Sequence, residues 1–172
     1  MALKILKLWR LLTSFRRAGA EVVLAATGSD RNLTLSQGVK ILVDVLISNV
    51  LEQESDVIIV PGGTGAEKLA SDANLMHALQ EQKRQNKFIA GICAGTTDVL
   101  QQHGLLEGEY WTTHPCLKDK LQDQTHSAER VCVSNKVITS QGPGTCVEFA
   151  MVLIKQLIGD EKAHYVRLDV LA

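Results

Sequence analysis

The polar and apolar positions of this chain fall into short blocks. Val57-Ile58-Ile59-Val60 and Phe88-Ile89-Ala90-Gly91-Ile92 are unbroken apolar runs, and glycines follow each. Short, branched runs bounded by glycine read as parallel strands buried on both faces. Further strands are predicted over 21–26, 39–42, 110–112, 130–133 and 137–139, with a short apolar element over 45–50 and a polar loop over 27–38. Helical spacing marks 3–17, 94–103 and 74–85, where Leu75, Met76 and Leu79 share one side. A long apolar helix is predicted over 147–158, with Thr145 as its cap and Gly159 as its C-terminal stop. Strands alternating with helices imply an α/β fold with a mainly parallel sheet covered on both faces. Glycines fall singly at turns, and no repeat or long linker divides the chain, so 1–172 reads as one domain.

The run at 88–92 ends in Gly91-Ile92-Cys93-Ala94-Gly95, followed by Thr96-Thr97-Asp98-Val99-Leu100. A nucleophile at a sharp strand-to-helix turn is presented at the sheet edge, where backbone N–H groups stabilise an oxyanion. The helix N-terminus also favours thiolate over thiol. Free cysteine is more often a small buried hydrophobe, so three other segments decide the reading.

Val60-Pro61-Gly62-Gly63 closes a buried strand, and ligands of open α/β sheets bind at such carboxyl ends. Gly62 and Gly63 allow close backbone approach, and an amide there completes an oxyanion hole. As a phosphate loop the segment is poor, because no Lys-Ser/Thr pair follows. Thr112-Thr113-His114-Pro115 supplies a histidine able to orient or deprotonate a thiol, with its backbone pinned by the following proline. Gly142-Pro143-Gly144-Thr145 is a stiff turn between a strand and the long helix.

In joint order and spacing, these pieces resemble the ThiJ/PfpI superfamily, and within it the Parkinson-disease protein deglycase branch. Arg16-Arg17-Ala18-Gly19-Ala20-Glu21-Val22, Lys118-Asp119-Lys120 and Glu148-Phe149-Ala150 add to the match, which runs over about residues 16–170. The resemblance implies a flavodoxin-like three-layer α/β sandwich and a homodimer. It implies Cys93 as nucleophile and oxidation sensor, His114 as its neighbour and base, and backbone of Gly62, Gly63 and Ala94 around the oxyanion. Gly142 and Pro143 would line the pocket. The implied activity is a glyoxalase or deglycase reaction on small α-oxoaldehydes such as methylglyoxal, or on glycated protein, with a role in oxidative-stress protection. The alternative it implies is a non-enzymatic redox-sensing chaperone acting through Cys93 oxidation. No cofactor and no metal are implied. The expected location is the cytosol, with mitochondria and nucleus as further compartments.

Composition narrows the partners. With 172 residues, 45% of them hydrophobic, the chain can bury a substantial core. A net charge of −1 selects neither nucleic acid nor a membrane surface. No apolar run reaches the roughly 18 residues of a spanning helix. Cys93, Cys116, Cys132 and Cys146 form no C-x-x-C pair and no disulfide framework, which suits a reducing compartment. A zinc site on His114 and Cys116 lacks the four ligands and paired spacing that zinc requires.

The N-terminus departs from the family pattern. Members open with a buried strand and carry a glutamate, early in the first helix, that bonds to the elbow cysteine. Counted back from Ala18-Gly19, that position falls on Lys7, and no acidic residue precedes Glu21. Five of 18 basic residues and none of 19 acidic ones lie in 1–17, giving +5 there against −6 elsewhere. Ile5, Leu8, Trp9, Leu12 and Phe15 line the side opposite the basic positions. A family helix with an unrelated start, a mitochondrial presequence and a membrane-surface or partner helix all fit this pattern. The family's first strand is expected inside the sheet, so its absence would leave unpaired edge groups and lower stability. Missing the glutamate, the site is expected to keep a reactive thiol but turn over poorly. Gln37 and Gln141 stand where relatives often have arginine, which removes an anion-binding role there.

Two other thiol chemistries fit less well. Glutamine amidotransferases share the elbow but use a late His and Glu two residues apart. Here the late residue is His164 and position 166 is valine, so the base lacks its orienting partner. A cysteine peptidase stands on the same footing.

Overall fold

In the computed structural model, the described residues are 5–35, 38–120 and 125–172, with side chains described from residue 9 and not over 118–120. Gln37 lies outside them, as does the side chain of Lys7.

The four-stranded centre of the sheet comes from the apolar runs. Strands β5 (Val57–Val60), β6 (Phe88–Ile92), β7 (Val131–Ser134) and β8 (Val137–Ser140) lie in the order β5-β6-β8-β7. The first three of these neighbours run parallel, and β7 closes the edge as the antiparallel arm of a hairpin with β8. Every residue of β6 and β8 is buried, as central strands covered on both faces require.

Helices cover both faces. On one, α1 (Ile5–Arg17), α4 (Cys146–Leu157) and α5 (Asp160–Asp169) bury Leu11, Phe15, Phe149, Leu153, Ile154 and Val166. An ion pair between Arg17 and Asp169 ties α1 to α5. On the other, α2 (Ala66–Ala70), α3 (Ala73–Arg84) and the turns after β6 bury Leu69, Leu75, Leu79, Val99 and Leu100. The side chain of Asp72 caps α3 by accepting from the N–H of Leu75 at 3.0 Å. The result is the expected three-layer α/β arrangement.

Several elements differ from the sequence reading. The strand expected over 21–26 is paired only at β1 (Ala25–Ala26), against the equally short β4 (Val45–Leu46). A 3-10 turn, Ile47–Asn49, completes the apolar element expected at 45–50. The polar loop holds β2 (Asn32–Thr34), the antiparallel partner of β3 (Lys40–Leu42). The strand expected over 110–112 shrinks to one bridge between Trp111 and His126. The side chain of Thr145 does not cap α4. Its Oγ1 is taken up by Gly142 and Ser140.

The sheet is divided. The β1–β4 pair and the four-stranded sheet are separate, and among the described residues no strand joins β1 to β5. β5 (Val57–Val60) contributes side chains to both cores, and Ala26 of β1 to the core under α2 and α3.

Candidate functional site

Cys93 follows the last residue of β6 and sits at φ +59°, in the left-handed region. A side chain other than glycine costs roughly 1–2 kcal/mol there, so its surroundings must hold it. Its N–H donates to the carbonyl of Ser140 on β8 at 2.9 Å. Its carbonyl accepts from the N–H of Thr96 and from Oγ1 of Thr113, each at 2.9 Å. Three chain segments therefore fix the elbow, and the thiol-bearing residue is 6% exposed.

The following segment, Gly95–Gln101, winds as a π-helix rather than an α-helix. The N–H of Gln102 reaches back five residues to the carbonyl of Thr97 at 3.2 Å. Such wide turns are uncommon and occur often at functional sites.

The glycine loop after β5 interlocks with this elbow, backbone against backbone. A Cβ on Gly62 would lie 2.5 Å from the carbonyl oxygen of Ile92, 2.6 Å from N of Ala94 and 2.9 Å from N of Gly95. A Cβ on Gly95 would lie 2.4 Å from the carbonyl oxygen of Val60. Both positions need glycine for space. Gly62 is thus packed on Ala94, the residue after Cys93.

His114 lies on the segment after Trp111. The Thr113 hydroxyl anchors that segment to Cys93, and Gly142 is the neighbour of the ring. A Cβ on Gly142 would lie 2.9 Å from His114 Cδ2. Nδ1 of His114 accepts from the N–H of Cys116 at 3.2 Å. A neutral ring held this way carries its proton on Nε2 and is a donor there. Pro143 opens a 3-10 turn, Pro143–Thr145, whose hydroxyl at Thr145 lies 2.6 Å from that of Ser140. The same Ser140 supplies the carbonyl that holds Cys93, so the turn and the elbow share a support. Arg130 steadies the turn from outside, donating to Glu148 at 2.8 Å and to the carbonyl of Gly144 at 3.1 Å.

Thr113 was in the quoted motif, but its role was not read from the sequence. A hydroxyl two residues before a proline gives no hint of a partner twenty residues earlier. Gln141 donates to the carbonyl of Ala128 at 3.0 Å, a structural bond. Of the other cysteines, Cys116 is exposed while Cys132 and Cys146 are buried. Among the described residues no three His, Cys, Asp or Glu side chains group as metal ligands. None of their helices is long and apolar enough to cross a membrane. A cavity of about 580 Å³ lies between β1 and β5 and meets the glycine loop at Pro61, and Cys93 is not among its walls.

Known proteins share both the order of these motifs and the fold. The model of the DJ-1/PfpI family matches residues 5–156. Protein DJ-1 homolog A of Arabidopsis thaliana is 42% identical over 89% of this chain, which spans 39% of that protein's length. The Danio rerio Parkinson disease protein 7 homolog is 38% identical, with 88% of this chain and 82% of that one covered. The glutathione-independent glyoxalase DJR-1.2 of Caenorhabditis elegans is 36% identical over 86% of this chain and 79% of its own. Among solved structures, oxidized Toxoplasma gondii DJ-1 superposes with a TM-score of 0.96 at 39% identity, over 99% of this chain and 93% of its own. With the elbow cysteine, the glycine seam and the histidine segment in place on the matching fold, the chain belongs to the DJ-1/PfpI family.

Proposed function

We propose that the protein converts small α-oxoaldehydes, methylglyoxal foremost, to hydroxy acids through Cys93. The observation that carries this reading is the elbow: a cysteine held at φ +59° by three hydrogen bonds, with a glycine seam packed on the next residue. A fixed nucleophile beside converging backbone amides suits addition to a carbonyl. A relative named as a glutathione-independent glyoxalase supports the substrate class.

The chemistry balances without a cofactor. Cys93 Sγ adds to the aldehyde carbon and gives a hemithioacetal. The proton on that carbon moves to the former ketone carbon through an enediol, leaving a lactyl thioester. Water hydrolyses the thioester and returns the thiol. One water is consumed, the aldehyde carbon is oxidised and its neighbour reduced. Gly63 and Ala94 amides serve the oxyanion, and His114 Nε2–H donates to an oxygen of the adduct. Glycated protein is a further substrate of the same addition. Homodimerisation belongs to the same proposal.

A second reading has its own support. The similar solved Toxoplasma gondii DJ-1 is an oxidized form. Oxidation of Cys93 by peroxide would then switch a chaperone or partner surface. The test compares wild type with Cys93→Ser for lactate formed from methylglyoxal and for sulfinic acid formed under peroxide. Cys93-dependent lactate is expected. Absence of lactate from folded protein that still oxidises at Cys93 would replace the enzyme with the sensor.

A further inference from the structure

A short piece of backbone joins the support of Cys93 to the ring of His114. Ser140, the last residue of β8, accepts the Cys93 N–H at its carbonyl, at 2.9 Å. Two residues later, Gly142 lies against the His114 ring. A Cβ there would be 2.9 Å from Cδ2, 3.8 Å from Nε2 and 4.0 Å from Cγ. The backbone of Gly142 is extended, at φ 175°, a conformation open to any residue. Glycine is therefore needed at 142 for the room it gives the ring and not for its own conformation. On the opposite edge of the ring, Nδ1 accepts from the N–H of Cys116 at 3.2 Å. The imidazole is held between that amide and Gly142.

A buried hydroxyl fixes Gly142 in turn. Thr145 Oγ1 lies 3.0 Å from the N of Gly142 and 2.6 Å from Ser140 Oγ, and both hydroxyl residues are buried. An amide N–H only donates, so Thr145 Oγ1 accepts it whichever hydroxyl supplies the proton between the pair. The Thr145 N–H donates to the Gly142 carbonyl at 3.1 Å. Ser140 Oγ, Thr145 Oγ1 and Gly142 N thus form a bridge across the two residues that separate the support of Cys93 from the ring of His114. A threonine preceding a helix ordinarily bonds to the first turn. Here its hydroxyl makes no bond to α4 and serves the bridge.

We propose that Thr145 is a positioning residue for His114, acting through Gly142. Its hydroxyl sets the place of the Gly142 peptide, and that peptide is the seat of the ring. The inference rests on the reading of His114 as a donor to the Cys93 adduct. Without the hydroxyl, a buried N–H and the buried Ser140 hydroxyl lose their partner, and the peptide must turn to find others.

The test uses the full chain with nitrogen-15 in its histidine rings. It reads the His114 Nδ1 and Nε2 signals by NMR, beside kcat and KM for methylglyoxal. Thr145→Val keeps the side-chain shape and removes the hydroxyl. Gly142→Ala pushes the ring by about 0.5 Å, the difference between 2.9 Å and an ordinary 3.4 Å contact, and removes no hydrogen-bonding group. Both are expected to move the His114 signals and to lower kcat about tenfold or more, with KM within about threefold. Thr145→Ser keeps the hydroxyl and is expected to retain the wild-type signals and kcat. Gly144→Ala, whose Cβ meets nothing within 4 Å, is expected to change neither. Unchanged His114 signals in folded Thr145→Val overturn the proposal, whether or not the wild type makes lactate. So does a Thr145→Ser as damaging as Thr145→Val, because methyl packing would then hold the ring. If Thr145→Val does not fold, Ser140→Ala breaks the same bridge at its other end, and unchanged His114 signals there and in Gly142→Ala overturn the proposal. Wild type that makes no lactate while the ring signals move as expected removes the enzyme reading and supports the positioning.

Discussion

Gly62→Ala tests whether the seam between the β5 loop and the elbow organises the site. The added Cβ would meet three backbone atoms, of Ile92, Ala94 and Gly95, at 2.5, 2.6 and 2.9 Å. None is the end of a flexible side chain. Reaching an ordinary 3.4 Å contact with the Ile92 oxygen requires the loop to open by about 0.9 Å. Overpacking of this kind costs about 1–3 kcal/mol. For a chain of this size, each kcal/mol lowers the melting temperature by about 2–4 °C, so a fall of about 2–12 °C is expected. A displacement near 1 Å at the reacting groups costs about 100-fold in rate. Gly144→Ala is the control, because a Cβ there has nothing within 4 Å. The assays are thermal unfolding by circular dichroism and kcat/KM for methylglyoxal. The seam has no organising role if Gly62→Ala melts within about 1 °C of wild type and keeps its kcat/KM within about twofold, both inside the range of neutral surface changes.

Three more expectations follow from single contacts. Thr113→Val removes one of two donors to the Cys93 carbonyl, leaving the Thr96 N–H, and should cost about 0.5–1.5 kcal/mol by denaturant unfolding; an unchanged midpoint would mean the hydroxyl is not an anchor. Hydrogen bonds from Arg84 and then Gln85 hold the Glu81 carboxyl at about 2, below its ordinary 4.5. With the folded value depressed, any stabilisation is present above about 4.5 and is lost as pH falls through about 2. An NMR titration of Glu81 with a midpoint near 4.5 would contradict the pairing. Burial, and then the Glu129 charge, push the Cys132 thiol up from 9.0, while Cys116 is exposed. Iodoacetamide at pH 8 should therefore label Cys116 well before Cys132, and the reverse order, read by peptide mapping, would refute that environment.

Much of the site was legible in the sequence because its residues are constrained locally. Gly62 and Gly95 have no space for a Cβ, and β6 must be apolar throughout to lie between two helical layers. Such demands leave a mark at each position. Other features depend on partners distant in sequence and leave none. Helix α5 has only Ala163 and Val166 buried, too thin a stripe to stand out by periodicity. Trp111 lies in a β-like run, yet its neighbours find one bridge and not a ladder. Residues 21–24 have strand propensity but no ladder, since β4 offers only two residues to pair. The hydroxyl network of Ser140 and Thr145 took over a side chain that local pattern assigned to capping α4. No residue type announces the π-helical winding after Cys93.

The most direct test of the account is carbon NMR of methylglyoxal labelled at its aldehyde carbon, incubated with wild type and with Cys93→Ser. The account predicts that wild type carries the label into the carboxylate of lactate while Cys93→Ser leaves it in the hydrated aldehyde. Label that stays in the aldehyde with folded wild type, or that reaches lactate equally with Cys93→Ser, would contradict it.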